Sequence, residues 1–242
     1  MIDRLGVRAR PSGTPIMYQR WDKLLFLHWP VAAEELRPLI PEPLEIDTHE
    51  GIAWLGVAPF TMSNLRPSFL PALPFVSRSH ELNVRTYVHM DGIPGVWFFS
   101  LDASNPIAVL GARFAFSLPY FEALQSLTQS RDSIQFNSKR IHPGAPSAEL
   151  KASWTLGDPL AEAKPGTLDF FLVERYCLFT SRGKHVYRAR IFHRPWPLRR
   201  AALWDFSSTM AQSHRITIPP ENPMLHAQAA PLDVEVWPLA RM

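Results

Sequence analysis

The stretch ELNVRTYVH at residues 81–89 places its side chains in two alternating rows, the period-two pattern of a β-strand. One row is apolar apart from a threonine and consists of Leu82, Val84, Thr86 and Val88. The other row is polar and consists of Glu81, Asn83, Arg85, Tyr87 and His89. A polar row commonly faces solvent, but in a closed sheet it can face an internal cavity instead. The mixture of Glu, Asn, Arg and Tyr favours the cavity slightly, because these side chains hold fixed hydrogen bonds.

The rest of the chain predicts a mainly β fold with a few short helices. A turn at 91–94 leads to a second strand at 95–101, and further strands are predicted at 21–29, 44–47, 52–61, 133–141, 148–156, 184–193 and 234–237. The 24 prolines interrupt nearly every apolar run, which favours short strands over long helices. Helices are predicted at 31–39, opened by Pro30, at 104–116, capped by Ser104, and at 168–175.

Length and the even composition predict one domain at 19–242, preceded by an irregular arm at 1–18. The net charge is only +3 and the arginines are scattered, so we expect no nucleic-acid partner. No run approaches the roughly 20 apolar residues of a membrane helix, and the first residues lack the apolar segment of a secretory signal. A cytoplasmic protein that does not bind membranes is therefore expected.

The chain carries no common nucleotide-binding or hydrolase motif. There is no G-x-S-x-G, no G-x-G-x-x-G and no P-loop, and the nine histidines lack metal-chelating spacing. We therefore expect neither a cofactor nor a metal. Cys177, the only cysteine, lies in an apolar run and is expected to be a buried, unreactive thiol.

Several motifs resemble known families. LRPLIPEPLEID at 36–47, Glu81 and DASNPIAVLGAR at 102–113 resemble acetoacetate decarboxylase over about the first half of the chain. A closer resemblance covers most of the chain and is to the YqjF-like family, a domain of unknown function in the acetoacetate decarboxylase-like superfamily. It rests on QRW at 19–21, ELNVRTY at 81–87, FFSLD at 98–102, ERYC at 174–177 and HRPWPL at 193–198.

The superfamily resemblance implies a closed, cone-like antiparallel β-barrel with a central pocket. In the decarboxylase a lysine forms a Schiff base with the substrate, and a second lysine beside it lowers the pKa of the first. The two matching positions here are Tyr120 and Phe121, which cannot form an imine. The resemblance aligns Glu81 with the family's catalytic glutamate and Arg20 with an early arginine, whereas a second glutamate has no counterpart. Decarboxylation through a Schiff base is therefore not expected.

The remaining site residues are assigned by their chemistry. Tyr120 can donate a hydrogen bond to a carbonyl, Glu81 can act as a general base, and Arg85 or Arg113 can hold a carboxylate. The predicted catalytic residues are thus Glu81 and Tyr120, and the predicted substrate-binding residues are Arg20, Asn83, Arg85, Tyr87, Asp102 and Arg113. Structural alternatives stay open, with Tyr120 and Arg113 as packing groups and Asp102 as a helix-flanking cap.

Three functions remain open. The protein is an enzyme acting without imine chemistry on a small oxo- or hydroxy-acid, a non-catalytic binder of a small carbonyl- or carboxylate-bearing molecule, or a structural or protein-interaction domain. The third function would use an exposed apolar patch, for which the loop at 65–75 is the best candidate. The sequence does not decide among these functions, nor whether the chain forms a homo-oligomer.

Overall fold

The computed structural model of the protein describes residues 2–72 and 77–242. Its strands are β1 (Met17–Asp22), β2 (Leu25–Val31), β3 (Glu45–Ile46), β4 (Ala53–Pro67), β5 (Ser79–Met90), β6 (Ile93–Ala103), β7 (Tyr120–Ser130), β8 (Ser133–Arg140), β9 (Glu149–Pro159), β10 (Cys177–Arg182), β11 (His185–Phe192), β12 (Leu198–Ser208), β13 (Met224–Gln228), β14 (Leu232–Val236) and β15 (Ala240–Arg241). The α-helices are α1 (Ala33–Leu36), α2 (Pro106–Phe116) and α3 (Leu168–Val173). Short 3-10 turns lie at Gly6–Arg8, Arg37–Leu39 and Gln212–His214. The predicted mainly β fold with few helices is confirmed.

The strands form a single sheet that closes on itself. Twelve of them form a ring in the order β1-β14-β11-β10-β6-β7-β8-β9-β12-β13-β2-β4, which closes because β4 also pairs with β1. Most pairings are antiparallel, as predicted, but β6 pairs in parallel with both β7 and β10. Within the described parts of the chain, no helix is long and apolar enough to cross a bilayer.

Strand β5 divides this ring, because it pairs with β4 on one edge and β6 on the other. The apolar row of β5 packs into the larger half of the ring, where Leu82, Val84 and Val88 join the main hydrophobic core. The polar row faces the smaller half, enclosed by β1, β4, β5, β6, β10, β11 and β14. Glu81 and Asn83 are 4% and 5% exposed, so the solvent-facing alternative for this row is wrong.

The predicted strand at 21–29 is wrong as a single element. It is interrupted at Lys23, whose φ of 55° turns the backbone between β1 and β2. The helix predicted at 31–39 is confirmed in part, because α1 and the 3-10 turn at Arg37–Leu39 lie within it. Pro30 does not open it, since Pro30 lies in β2 opposite Trp54. Pairing with β4 extends the strand through this proline, and helix α1 begins only at Ala33.

Strand β1 begins at Met17, so the irregular arm that precedes it is two residues shorter than predicted. Helix α2 is capped by Asn105 and not by Ser104, because the Asn105 side chain accepts hydrogen bonds from the amides of Ile107 and Ala108. The hydroxyl of Ser104 instead accepts from the amide of His80. Part of the loop proposed for interaction, residues 73–75, lies outside the described residues.

Candidate functional site

The smaller half of the ring encloses a cavity of about 420 Å³. Its walls are largely apolar, and its polar side chains come mainly from the polar row of β5 and from the segments after α3 and β11. These polar lining residues are Gln19, Ser79, Glu81, Asn83, Arg85, Tyr120, Arg175 and His193. Ligand sites commonly combine an apolar wall with a few convergent polar groups, so this cavity is the candidate site.

Glu81 and Tyr120 form a buried acid pair at the cavity wall. The Tyr120 hydroxyl donates a hydrogen bond to Oε2 of Glu81 over 3.0 Å. Burial, assisted by the nearby charge of Asp102, raises the pKa of Glu81 to about 8, although the Tyr120 hydrogen bond acts in the opposite direction. Burial and the Glu81 carboxylate likewise raise the pKa of Tyr120 above its ordinary value. A carboxyl group with such a pKa can gain or lose a proton near neutral pH, as a general acid or base must.

Arg85 brings a positive charge to the same cavity. Among residues 2–72 and 77–242 it takes part in no ion pair within 4.0 Å. Its Nε and Nη2 are buried and have no hydrogen-bond partner, and the same holds for Oδ1 of Asn83. The rings of Phe26 and Tyr87 contact its guanidinium. A partly buried cation without a carboxylate partner is costly, which favours binding of an anion.

A second arginine, Arg175, also lines the cavity and is held in place by hydrogen bonds. Arg175 donates from Nη1 to Oδ2 of Asp47 over 2.7 Å, and its Nε donates to the carbonyl of Phe171. Arg4 from the amino-terminal segment makes two further hydrogen bonds to Asp47, each of 2.6 Å. The Nη2 of Arg175 has no partner. Asp47 thus pairs with both Arg175 and Arg4, whereas Arg85 has no carboxylate partner within the described residues.

Four of the eight predicted site residues line the cavity, namely Glu81, Asn83, Arg85 and Tyr120. Tyr87 lies on the same face of β5 but is buried under α3, where its hydroxyl donates to the carbonyl of Leu172 and lies 2.8 Å from Nε2 of His28. Arg20 points outward from β1, with its side chain 48% exposed and 3.7 Å from Asp233. The structure therefore places Tyr87 and Arg20 outside the cavity.

Asp102 and Arg113 also lie outside the cavity wall. Asp102 forms a two-point ion pair with Arg140, with distances of 2.6 and 2.8 Å and both side chains 1% exposed. Its position behind Glu81 lets its charge raise the pKa of that residue. Arg113 is on the outer side of α2, where Nη1 donates to the carbonyl of Tyr120. Asp102 thus influences the site electrostatically, and Arg113 contacts the backbone carbonyl of Tyr120 and Nε2 of His142.

Residues 18–231 match the family DUF2071, described as an uncharacterized conserved protein. The chain is also 42% identical over 231 residues to the uncharacterized protein YqjF of Bacillus subtilis (strain 168), a match that covers 96% of this chain and 94% of YqjF. The chain belongs to the DUF2071 family. The predicted membership of the YqjF-like family is therefore confirmed.

The fold of this DUF2071 chain is shared with enzymes of the acetoacetate decarboxylase type. The enduracididine biosynthesis enzyme MppR, solved in complex with pyruvate, matches with a TM-score of 0.64 and 11% identity over 95% of this chain and 91% of MppR. Acetoacetate decarboxylase from Legionella pneumophila matches with a TM-score of 0.62 and 13% identity over 96% of this chain and 88% of the decarboxylase. An acetoacetate decarboxylase-like enzyme from Sphingomonas wittichii RW1 matches with a TM-score of 0.62 and 11% identity over 95% and 94% of the two chains. At these identities the likeness shows the fold alone.

No lysine is among the residues that line the cavity in the described parts of the DUF2071 chain. Lys23, which lies in the turn between β1 and β2, is not at the cavity. Cys177 is buried as predicted, and burial raises the pKa of its thiol to about 11, so the thiol stays protonated near neutral pH. Within the described residues, the cavity thus offers the imidazole of His193 and the oxygen groups of Ser79, Glu81 and Tyr120, and the last two are hydrogen-bonded to each other.

The sequence interpretation missed Arg175, His193 and Trp196 as lining residues of this DUF2071 cavity. Glu174 and Arg175 are neighbours in the sequence but do not pair with each other, because both residues are buried and bind other partners. Glu174 accepts hydrogen bonds from the Tyr176 hydroxyl and the Trp196 amide. All these residues lie in the ERYC and HRPWPL motifs that carried the family resemblance, and that clustering was the available signal.

Proposed function

We propose that this DUF2071 protein binds a small oxo- or hydroxy-acid in the central cavity and moves a proton on it without forming an imine. The observation that carries this proposal is that an acid pair and a cation without a carboxylate partner meet at one face of β5. Glu81 and Arg85 both line the cavity, and Tyr120 completes the acid pair from β7. An acid–base group beside an anion-binding group is the minimum that proton transfer on an oxo-acid requires.

In the proposed reaction Arg85 holds the carboxylate of the ligand. At pH 7 about one-tenth of Glu81 is ionised, given its raised pKa. This form takes a proton from the carbon next to the ligand's carbonyl group, so that the C–H bond breaks and the negative charge moves to the carbonyl oxygen. Glu81 is then protonated and neutral, so the hydrogen bond from Tyr120 stabilises it less. The phenol can donate to the developing enolate oxygen instead.

The fold supports the same class of ligand in a weaker way. The structural neighbour MppR was solved with pyruvate, and also with the condensation product of pyruvate and imidazole 4-carboxaldehyde. Those ligands are small oxo-acids or their products in a related fold. Function belongs to the site and not to the fold, so we give the side chains of the cavity greater weight.

Removal of the Arg85 guanidinium tests the binding step. Calorimetry with pyruvate and 2-oxobutyrate should show that Arg85→Ala binds at least about 30-fold more weakly than wild type, because the ligand's carboxylate loses its partly buried cation. At about 100 times its dissociation constant, the ligand should also raise the melting temperature of the wild type by roughly 5–10 °C.

Arg20→Ala is the matched control for that experiment, since it removes an outward-facing arginine of strand β1 that does not line the cavity. Its affinity should equal that of the wild type. Equal affinities of wild type and Arg85→Ala would contradict the proposed role of Arg85. No binding of any oxo- or hydroxy-acid to wild type would contradict the proposed ligand class.

A further inference from the structure

Helix α2 forms one wall of the cavity and presents small side chains to it. The lining residues of the helix, apart from the buried Phe116 at its end, recur at helical spacing: Ala108, Gly111, Ala112 and Ala115. A Cβ atom added at Gly111 would meet no atom within 4 Å. This wall therefore leaves open space where larger side chains would fill it.

A second wall of the cavity is an apolar segment made of the end of β4 and the residues directly after it. Leu65, Pro67, Leu70 and Pro71 from this segment line the cavity. The amide of Leu65 donates to the carbonyl of Ser77, and the amide of Ser104, just before α2, donates to the carbonyl of His80. Both walls are thus joined to the beginning of β5, beside Glu81 and away from Arg85.

Strand geometry gives the cavity a direction. Glu81 and Arg85 are four residues apart on one face of β5, which separates their Cα atoms by about 13 Å. The cation lies at the α3 end of the cavity, the acid pair follows, and the apolar walls of α2 and residues 65–71 lie beyond it. Since ligand pockets of roughly 300–1,000 Å³ hold drug-sized molecules, the volume of about 420 Å³ exceeds the need of a three-carbon acid.

We propose that the ligand is amphipathic, with an oxo-acid head at Arg85 and the Glu81–Tyr120 pair and an apolar body against α2 and residues 65–71. The assignment of the head rests on the proposed function. The apolar body follows from the walls, because an extended cavity lined by alanine, glycine, leucine and proline side chains stabilises hydrocarbon and offers few hydrogen bonds to a polar group.

A homologous series of unbranched 2-oxo acids tests the proposal. Dissociation constants measured by calorimetry for pyruvate, 2-oxohexanoate, 2-oxooctanoate and 2-oxodecanoate should fall by about three- to fourfold for each added methylene group that is buried. The Arg85→Ala variant should bind every member more weakly. Affinities that stay flat along the series would overturn the amphipathic ligand while leaving the proposed function in place, provided that pyruvate binds through Arg85.

The Gly111→Leu variant tests where the apolar body of the ligand lies in the cavity. The change improves helix propensity, and a Cβ atom at this position meets no atom within 4 Å, so the variant should fold. Its loss of affinity for 2-oxooctanoate should be at least about tenfold greater than its loss for pyruvate, since the leucine occupies space that only the longer chain reaches. Leu110→Ala is the matched control, because Leu110 is 72% exposed and does not line the cavity.

An equal loss of affinity for short and long acids in Gly111→Leu would overturn the placement of the body along α2. Affinity that rises with chain length but is the same in wild type and Arg85→Ala for every acid would overturn the assignment of the head, and with it the proposed function. Failure of all the acids to bind to wild type would overturn both proposals. These three results differ from one another, so each proposal fails by its own measurement.

Discussion

Replacement of Glu81 by glutamine is expected to slow solvent deuterium exchange at C3 of a bound 2-oxo acid by about 10²- to 10⁴-fold, the usual contribution of a positioned acid–base group. Glutamine has nearly the same shape and still offers an oxygen to the Tyr120 hydroxyl, but it cannot take up a proton. The measurement is proton NMR of pyruvate in D₂O, where the methyl signal disappears as exchange proceeds. Binding to the variant is measured separately, so that a lost rate is not confused with a lost ligand.

The pH dependence of the same reaction identifies the ionised form of Glu81 as the base. Wild-type kcat/KM should rise with pH and become constant above the pKa of about 8. Tyr120→Phe removes a hydrogen bond that lowers this pKa, so its inflection should move to higher pH. A role of Tyr120 in packing alone would leave the inflection of the variant where the wild type has it.

Arg20→Ala serves as the control for exchange as it does for binding, and its rate and pH profile should match those of wild type. Exchange in Glu81→Gln at the wild-type rate would contradict the assignment of the base. Wild-type protein that binds the acid through Arg85 but catalyses no exchange at any pH would be a binding protein without turnover, which contradicts the proposed proton transfer.

Local pattern was sufficient to predict the arrangement of β5. Period-two alternation assigned Glu81, Asn83 and Arg85 to one face, and the structure places all three at the cavity. The same rule, applied to QRW at 19–21, would have corrected the assignment of Arg20. Gln19 and Trp21 line the cavity, so the residue between them must point outward.

The remaining features of the site depend on contacts that no local pattern contains. Asp47 and Arg175 are 128 residues apart in sequence, yet their ion pair holds Arg175 at the cavity. Helix α2 is a second example. Ile107, Leu110 and Phe114 recur at helical spacing in the sequence, but these three side chains are 65%, 72% and 89% exposed. Periodicity identified the element, whereas tertiary packing turned its alanine and glycine face towards the cavity.

The free energy of unfolding of the wild type is expected to be largest near pH 6.5. Glu81 keeps its proton in the folded protein up to a pH of about 8, whereas in the unfolded chain it loses the proton around its ordinary value of 4.5. The folded state therefore binds more protons between these values, and this contribution to stability is complete below pH 4.5 and is lost as pH rises to about 8. Burial has the opposite effect on His193 and His214, because it lowers their pKa values to about 4, and stability is lost as pH falls from 6.5.

The Glu81→Gln substitution removes the loss of stability at alkaline pH and leaves the loss of stability at acid pH in place. At pH 8.5 the variant should be more stable than wild type by up to about 4 kcal/mol, the free energy that corresponds to the raised pKa, and the difference should shrink steadily towards pH 5. Urea unfolding at half-unit steps from pH 5 to 9 measures the difference. Glu45→Gln, which removes a carboxyl group from a side chain that is 72% exposed, should keep the wild-type profile. A Glu81→Gln curve that runs parallel to wild type over the whole range would mean that the Glu81 carboxyl group is not protonated in the folded protein at neutral pH.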